Sequence, residues 1–474
     1  MIDVSKIAKN FFSITAMRVL TSVFSFIFFS VLARKWGAEA LGEFSTLFSV
    51  FMFLLQLPLL GLHIVLARNI ASTPESVSDE TINALVLSLG VAFVMIFLVG
   101  FSGQLFYSEK LHASFWLVGV ATLFMAVTAV AEAVLIGQEK MDVIARANIG
   151  ENIFRVFLGA VLVFSGFGLT PVIFVFSFGR LIAVLIYLTK GKIWELARQG
   201  TLSLHQITTY LKKCPTFFGI LLLSVIVGRF DFIVLSLMGT MREVGLYSPA
   251  FKVYEIGLMV PSMLAVVLFP AFSRCFEHAR DRFESLYLNV FRFALALGAP
   301  LVVILANSSE LLINIIFGQQ YTGGSPALEL LSLAILFSAL DQVFAAMTLA
   351  GHREDLELKA LFYSCLLYLA LLFILIPVFG FMGAAITTTV ISFFKMTLRY
   401  YWIKREFNIP GAGPLVFRPV IAVLPLILFL YLMRDVNILL ASVLALVVYG
   451  LVLYAIKGIT RSQLLAFRQV FAGN

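Results

Sequence analysis

Charge is scarce in this sequence. Asp, Glu, Lys and Arg make up 13% of its 474 residues, about half the share of an ordinary soluble domain. So few ions could not cover the surface of a water-soluble globule of this length, which excludes a soluble enzyme. With so much apolar surface to bury, a disordered chain is excluded too. Cysteine is rarer still. Cys214, Cys275 and Cys365 are the three present, with no CxxC and no paired framework, which excludes a secreted disulfide scaffold. The five histidines, His63, His112, His205, His278 and His352, are scattered near the ends of apolar runs and match no metal-ligand or catalytic-triad spacing. No catalytic residue, metal site or cofactor is expected.

What is present is apolar, 61% of the chain with 48 Phe. A membrane-spanning helix takes about 20 mostly apolar residues. Runs of that length lie near 11–33, 43–66, 82–105, 113–135, 147–166, 170–189, 214–239, 246–272, 287–306, 325–350, 357–379, 381–403, 416–434 and 436–457. Strands of a membrane barrel would be about ten residues of alternating polarity, so the expectation is an all-α polytopic membrane protein with about fourteen transmembrane helices. An even number puts both termini on one side. With the N-terminus in the cytoplasm, 22 of the 34 Lys and Arg fall in inner segments and five in outer loops, so both termini are expected to be cytoplasmic. The net charge of +8 is then mostly topology signal, and nucleic acid drops out as a partner. The first run holds Arg18 and no small-x-small site, so it reads as a span and not as a cleavable signal.

The inner linker 190–213 mixes Ile193, Trp194, Leu196, Leu202 and Leu204 with Lys and Arg, the composition of a helix lying on the membrane surface. The tail Thr460-Arg461-Ser462-Gln463 resembles a capping box and leads into a second such helix. Gly42-Glu43-Phe44-Ser45 and Pro58 recur 203 residues later as Gly245-Leu246-Tyr247-Ser248 and Pro261. Gly137-Gln138 and Gly166-Phe167 recur 214 residues later as Gly351-His352 and Gly380-Phe381. The chain therefore divides into a six-helix half over 1–189, the linker 190–213, a parallel six-helix half over 214–405, and two appended helices with the tail over 406–474. Parallel repeats of this kind are a transporter architecture.

An ionised side chain at bilayer depth costs roughly 2.5–3.5 kcal/mol on insertion scales and usually faces a partner or a watery cavity. Such positions are Arg18, Glu151, Arg155, Arg180, Arg229, Asp231, Lys252, Glu255 and Asp341, with Glu132, Arg292 and Lys395 nearer helix ends, where a long side chain can snorkel. Glu151 and Arg155, four apart, share a helix face, as do Lys252 and Glu255, three apart; structural pairing and ligand contact both remain open. Arg229 and Asp231 are two apart and point in different directions. Pro58 and Pro261 sit at equivalent places in two spans, where Pro bends a helix, as hinges or as static kinks.

Arg18, the run Leu32-Ala33-Arg34-Lys35-Trp36-Gly37 with Gly42-Glu43-Phe44 leading into Gly61-Leu62, and Asp231 followed by Gly245-Leu246-Tyr247 and Lys252 carry a family resemblance. The chain resembles the lipid-linked oligosaccharide flippases, the O-antigen or polysaccharide repeat-unit translocases, of the multidrug/oligosaccharidyl-lipid/polysaccharide exporter superfamily. The likeness extends over essentially the whole chain in length, span number and repeat layout. It implies a multi-pass protein of the bacterial inner membrane that flips a polyprenyl-diphosphate-linked oligosaccharide by alternating access, with membrane lipids and polysaccharide polymerase machinery as partners. In that family spans 1, 2, 7 and 8 line a central cavity. Carried over, Arg18, Arg229 and Lys252 would meet the diphosphate, with Arg155 and Arg180 as further substrate contacts. Asp231, Glu255 and Asp341 would be the acids able to bind a coupling proton or sodium ion. A cation-coupled multidrug exporter of the same superfamily is the first alternative, disfavoured by the Arg/Lys excess and by the two appended spans. A membrane polysaccharide polymerase or ligase is the second, disfavoured because the longest outer segment, 307–324, holds Glu310 as its one charged residue. A lipid-binding scaffold is a third.

Overall fold

The computed structural model describes the backbone of residues 4–456, apart from 56, 59–60, 214, 279, 408, 410–412 and 434–436. Side chains are described for the same residues other than 4–18, 64, 213, 215–217, 260, 266–267, 270, 277–278, 280–282, 413–416 and 439. The side chain of Arg18 and the tail after 456 lie outside the described residues. All regular structure among the described residues is helical. Nine of its helices are long and apolar enough to cross a membrane, and Phe417–Leu432 and Leu440–Ala455 are shorter apolar helices.

The chain forms two compact units, Met1–Ser248 and Pro249–Asn474. The first holds α1 (Val4–Lys35), α2 (Ala38–Leu54), α3 (Leu62–Ser72), α4 (Val77–Phe106), α5 (Glu109–Gly137) and α6 (Met141–Phe164). It continues with α7 (Leu169–Phe178), α8 (Arg180–Thr189), α9 (Ile193–Gln199), α10 (Leu204–Lys213), α11 (Pro215–Met238) and the start of α12 (Met241–His278). The rest of α12 belongs to the second unit. There it is followed by α13 (Arg280–Asn307), α14 (Ser309–Phe317), α15 (Ser325–Ala350), α16 (Glu354–Phe379), α17 (Phe381–Phe407), α18 (Gly413–Leu432) and α19 (Ile438–Ala455).

Two of the runs read as single spans are broken. The run 43–66 stops at Leu54 and restarts at Leu62, because Pro58, which has no N–H to donate, lies in the intervening turn and Gly61 takes a left-handed φ of 77°. Its repeat equivalent, Pro261, lies inside the uninterrupted α12, so the two prolines occupy different local structures. The run 170–189 is interrupted at Gly179, between α7 and α8.

Inside the first unit, α2 and α12 cross backbone against backbone. A Cβ added to Gly42 would overlap the carbonyl of Met241, and one added to Gly245 would overlap the carbonyl of Ala38. Residues 42 and 245, like 38 and 241, are 203 apart, so the contact is reciprocal, as in a two-fold interface. Small residues permit such an approach between membrane helices. The two glycines that match in sequence are thus the ones at which α2 and α12 touch.

The linker α9–α10 packs into the core of the first unit. Ile193 and Tyr210 enter a core built from Leu62, Leu66, Val130, Val134, Ala147, Ala183 and Tyr187. The first turn of α4 holds it from the other side. Asp79 accepts from the Thr201 amide at 2.6 Å, Asn83 bridges Thr201 and Ser203, and the buried Glu80 accepts from the Tyr210 hydroxyl. Trp194, Leu202, Leu204 and Leu211 stay exposed, the amphipathic arrangement of an interfacial segment. In the second unit, α18 and α19 pack through Ala422, Leu426, Ala441 and Ala445 against Ala296 of α13.

Candidate functional site: buried guanidiniums on an aromatic face

The first unit gathers two of the charged candidates around α2. Phe44, Phe48 and Phe51 recur at i, i+4 and i+7 and therefore share one face of that helix. Phe48 and Phe51 stack at 6.3 Å with their planes 11° apart, and Phe176 of α7 meets Phe44 and Phe48 edge-on at 5.6 and 6.0 Å. A guanidinium lies at each end of the stack. Arg229 of α11 is 5.7 Å from the Phe48 ring and 5.9 Å from Phe232, while Arg155 of α6 is 5.2 Å from Phe51 and 5.7 Å from Phe176. A weakly hydrated cation over a ring face is attracted by the ring quadrupole. Two arginines 74 residues apart in sequence thus reach the same helix face.

Arg155 also belongs to a buried ion cluster. Glu151 Oε1 accepts from Arg155 Nη1 at 2.7 Å and from Arg180 Nη1 at 3.2 Å, and Arg180 Nε donates to the Thr128 hydroxyl at 3.1 Å. All three ions are at least 91% buried, where an unpaired charge would cost several kcal/mol. The i,i+4 pair read from the sequence is formed, and Arg180 joins it from another helix. Glu132, one turn from Thr128, is occupied by the Tyr187 hydroxyl at 2.8 Å and Asn148 at 3.2 Å.

The other candidates are engaged separately. Asp231, 1% exposed, accepts from the Tyr247 hydroxyl at 2.7 Å and from the Phe232 amide at 3.0 Å. The positions 203 residues earlier are Phe28 and Phe44, which meet as rings at 6.3 Å, so the same helix pair carries a carboxylate–phenol contact in one copy and an aromatic one in the other. Lys252 pairs with Glu255 at 3.1 Å. Asp341 lies between Lys395 at 3.1 Å and Arg399 at 2.7 Å, and Arg399 reaches Glu357 at 2.5 Å. Lys395 thus points to a carboxylate instead of snorkelling to the surface. Thr128, Phe48, Phe51, Glu357 and Arg399 were not singled out from the sequence. The Phe spacing on α2 was readable, but it is one apolar stripe among many; the ion partners lie on other helices and left no local pattern.

The model of the polysaccharide biosynthesis protein family matches residues 7–276. The chain belongs to this family. Its relatives include the capsular polysaccharide biosynthesis protein CapF of Staphylococcus aureus, 24% identical over 225 residues, with 45% of this chain and 56% of that protein covered. The probable low-salt glycan biosynthesis flippase Agl15 of Haloferax volcanii is 23% identical, with 81% of this chain and 80% of that protein covered. The chain spans 36% of the length of a further curated relative, so it covers about half or less of some of the proteins it matches. Among solved structures, the lipid II flippase MurJ in an inward closed conformation superposes with a TM-score of 0.77 at 14% identity, covering 92% of this chain and 97% of that one. That likeness gives the fold. With its long apolar helices, this family member is a multi-pass membrane protein.

Proposed function

We propose that this protein carries a polyprenyl-diphosphate-linked oligosaccharide, an O-antigen or related repeat unit, from the inner to the outer leaflet of the bacterial cytoplasmic membrane. It does so by alternating access through fourteen spans, with both termini cytoplasmic, as a transporter and not an enzyme. The observation that carries the reading is the pair of guanidiniums held on the aromatic face of α2, within the part of the chain that matches the family. An exporter of organic cations would need carboxylates there. Arg18, Arg229 and Lys252 supply cations for the diphosphate, which Arg can grip bidentately and Lys as a point charge. Moving that group outward across an inside-negative membrane gains roughly 2.3 kcal/mol per charge per 100 mV, so the direction does not demand an ion gradient. Where a proton or sodium ion is coupled, Asp231, Glu255 and Asp341 are the acids we assign to it.

Native mass spectrometry of the gently purified protein tests this. A co-purifying polyprenyl-diphosphate glycan, lost in an Arg18→Ala/Arg229→Ala/Lys252→Ala variant, is the expected result. Saturable binding of organic cations with no such lipid would hand the protein to the multidrug-exporter class.

A further inference from the structure

Arg155 offers more than a structural ion pair consumes. Its Nη1 is held by Glu151 at 2.7 Å. Its Nε and Nη2 are buried and have no hydrogen-bond partner, although the residue is 6% exposed. Those two donors form the side edge of the guanidinium, whose parallel N–H bonds match two oxygens of a phosphate or a carboxylate. Among the described residues no other buried guanidinium leaves that whole edge unpartnered; Arg399 leaves Nε alone. Buried donors without partners are rare in folded proteins, because each carries its full desolvation penalty. The walls around this edge are rings and a glycine. Phe51 and Phe176 face the cation, and a Cβ on Gly179 would stand 2.7 Å from Arg155 Cγ and 3.1 Å from Nε. Gly179 therefore leaves the room that the guanidinium needs beside the break between α7 and α8. An oxyanion meeting this edge exchanges ring contacts for two charge-assisted hydrogen bonds, and Glu151 and Arg180 hold the fork in place meanwhile.

We infer that the side edge of Arg155 is a second oxyanion station for the transported molecule, on the same face of α2 as Arg229. Its ligand is either a phosphate of the lipid carrier or a carboxylate on the saccharide. This rests on the transporter reading above. The test is binding of three probes in nanodiscs, followed by native mass spectrometry: undecaprenyl diphosphate, undecaprenol, and an undecaprenyl-diphosphate disaccharide bearing glucuronate. Arg155→Lys keeps the charge and the pairing with Glu151 but removes the bidentate edge. Weakening of undecaprenyl diphosphate by about tenfold, with undecaprenol unchanged, assigns the station to phosphate. Weakening confined to the glucuronate-bearing probe assigns it to the sugar. Equal binding of all probes by wild type and variant overturns the station and leaves the transporter reading standing, whereas a wild type that binds neither diphosphate probe overturns both. Gly179→Ala keeps every charge, crowds the same edge and decides the matter if Arg155→Lys does not fold. It is expected to lose the same probe, and unchanged binding in it overturns the station.

Discussion

Two buried ion clusters, one in each unit, look alike at first and are built on opposite plans. In the first unit a single carboxylate oxygen, Glu151 Oε1, takes both Arg155 and Arg180. In the second, acids and bases alternate: Lys395 and Arg399 flank Asp341, and Arg399 goes on to Glu357. Each cluster ties three helices, α5, α6 and α8 in one case and α15, α16 and α17 in the other. They are not copies. Glu151 corresponds at the 214-residue offset to Cys365, and Arg155 to Leu369. The two units therefore each pin three helices, and do so with unrelated residues. The acid is the keystone in the first unit and Arg399 is the keystone in the second. In the alternating chain every ion meets one of opposite charge and Nε is the one donor of Arg399 left without a partner, which suits a staple. A carboxylate shared by two guanidiniums leaves donors over, which suits a site.

The sharpest break comes from the keystones. Glu151→Gln strands two buried guanidiniums at once, and removing one partner of a buried pair costs about 3–5 kcal/mol. The loss here is expected at the top of that range, read as a drop in thermal unfolding temperature in detergent micelles. A Glu151→Gln protein as stable as wild type would mean that the two arginines do not depend on this carboxylate. Arg399→Ala is expected next, near the lower end of the same range of about 3–5 kcal/mol. Asp341 keeps Lys395, and only Glu357 is left without its cation. If Lys395→Ala costs as much as Arg399→Ala, the second cluster has no keystone and the contrast with the first is lost.

Much of this was legible from local sequence. Apolar runs located the helices, because solvation by lipid demands the same length of apolar chain wherever it occurs. Gly42 and Gly245 announced the repeat, because only a residue without Cβ survives where two backbones touch. The Glu151–Arg155 pair was legible because i,i+4 spacing fixes a shared face before any tertiary structure exists. Arg180, 25 residues beyond Arg155, and Arg399, 58 beyond Asp341, were visible as charges and not as partners; helix packing decides whom they meet. The breaks near Pro58 and at Gly179 were hidden for another reason. Pro261 shows that the same residue type at an equivalent place sits within an unbroken helix, so the outcome depends on whether neighbouring groups can satisfy the freed backbone.

Arg155→Ala should have the smallest effect on stability, and that is what makes it informative. Removing Arg155 leaves Glu151 Oε1 with Arg180 at 3.2 Å, so no charge in the cluster is stranded. What disappears is one hydrogen bond to a charged group, worth about 1.5–3 kcal/mol, and cation–π contacts worth about 1–2 kcal/mol where desolvated. Against these losses, a cation with two unmet donors is no longer desolvated, a gain of about 1–3 kcal/mol for each donor. The net expectation is about 1 kcal/mol or less, measured by the same thermal unfolding. A staple residue cannot be deleted so cheaply, as Arg399→Ala would show alongside it. If Arg155→Ala instead unfolds the protein as readily as Arg399→Ala does, the two clusters serve one purpose, and the open edge of Arg155 belongs to packing and not to a ligand.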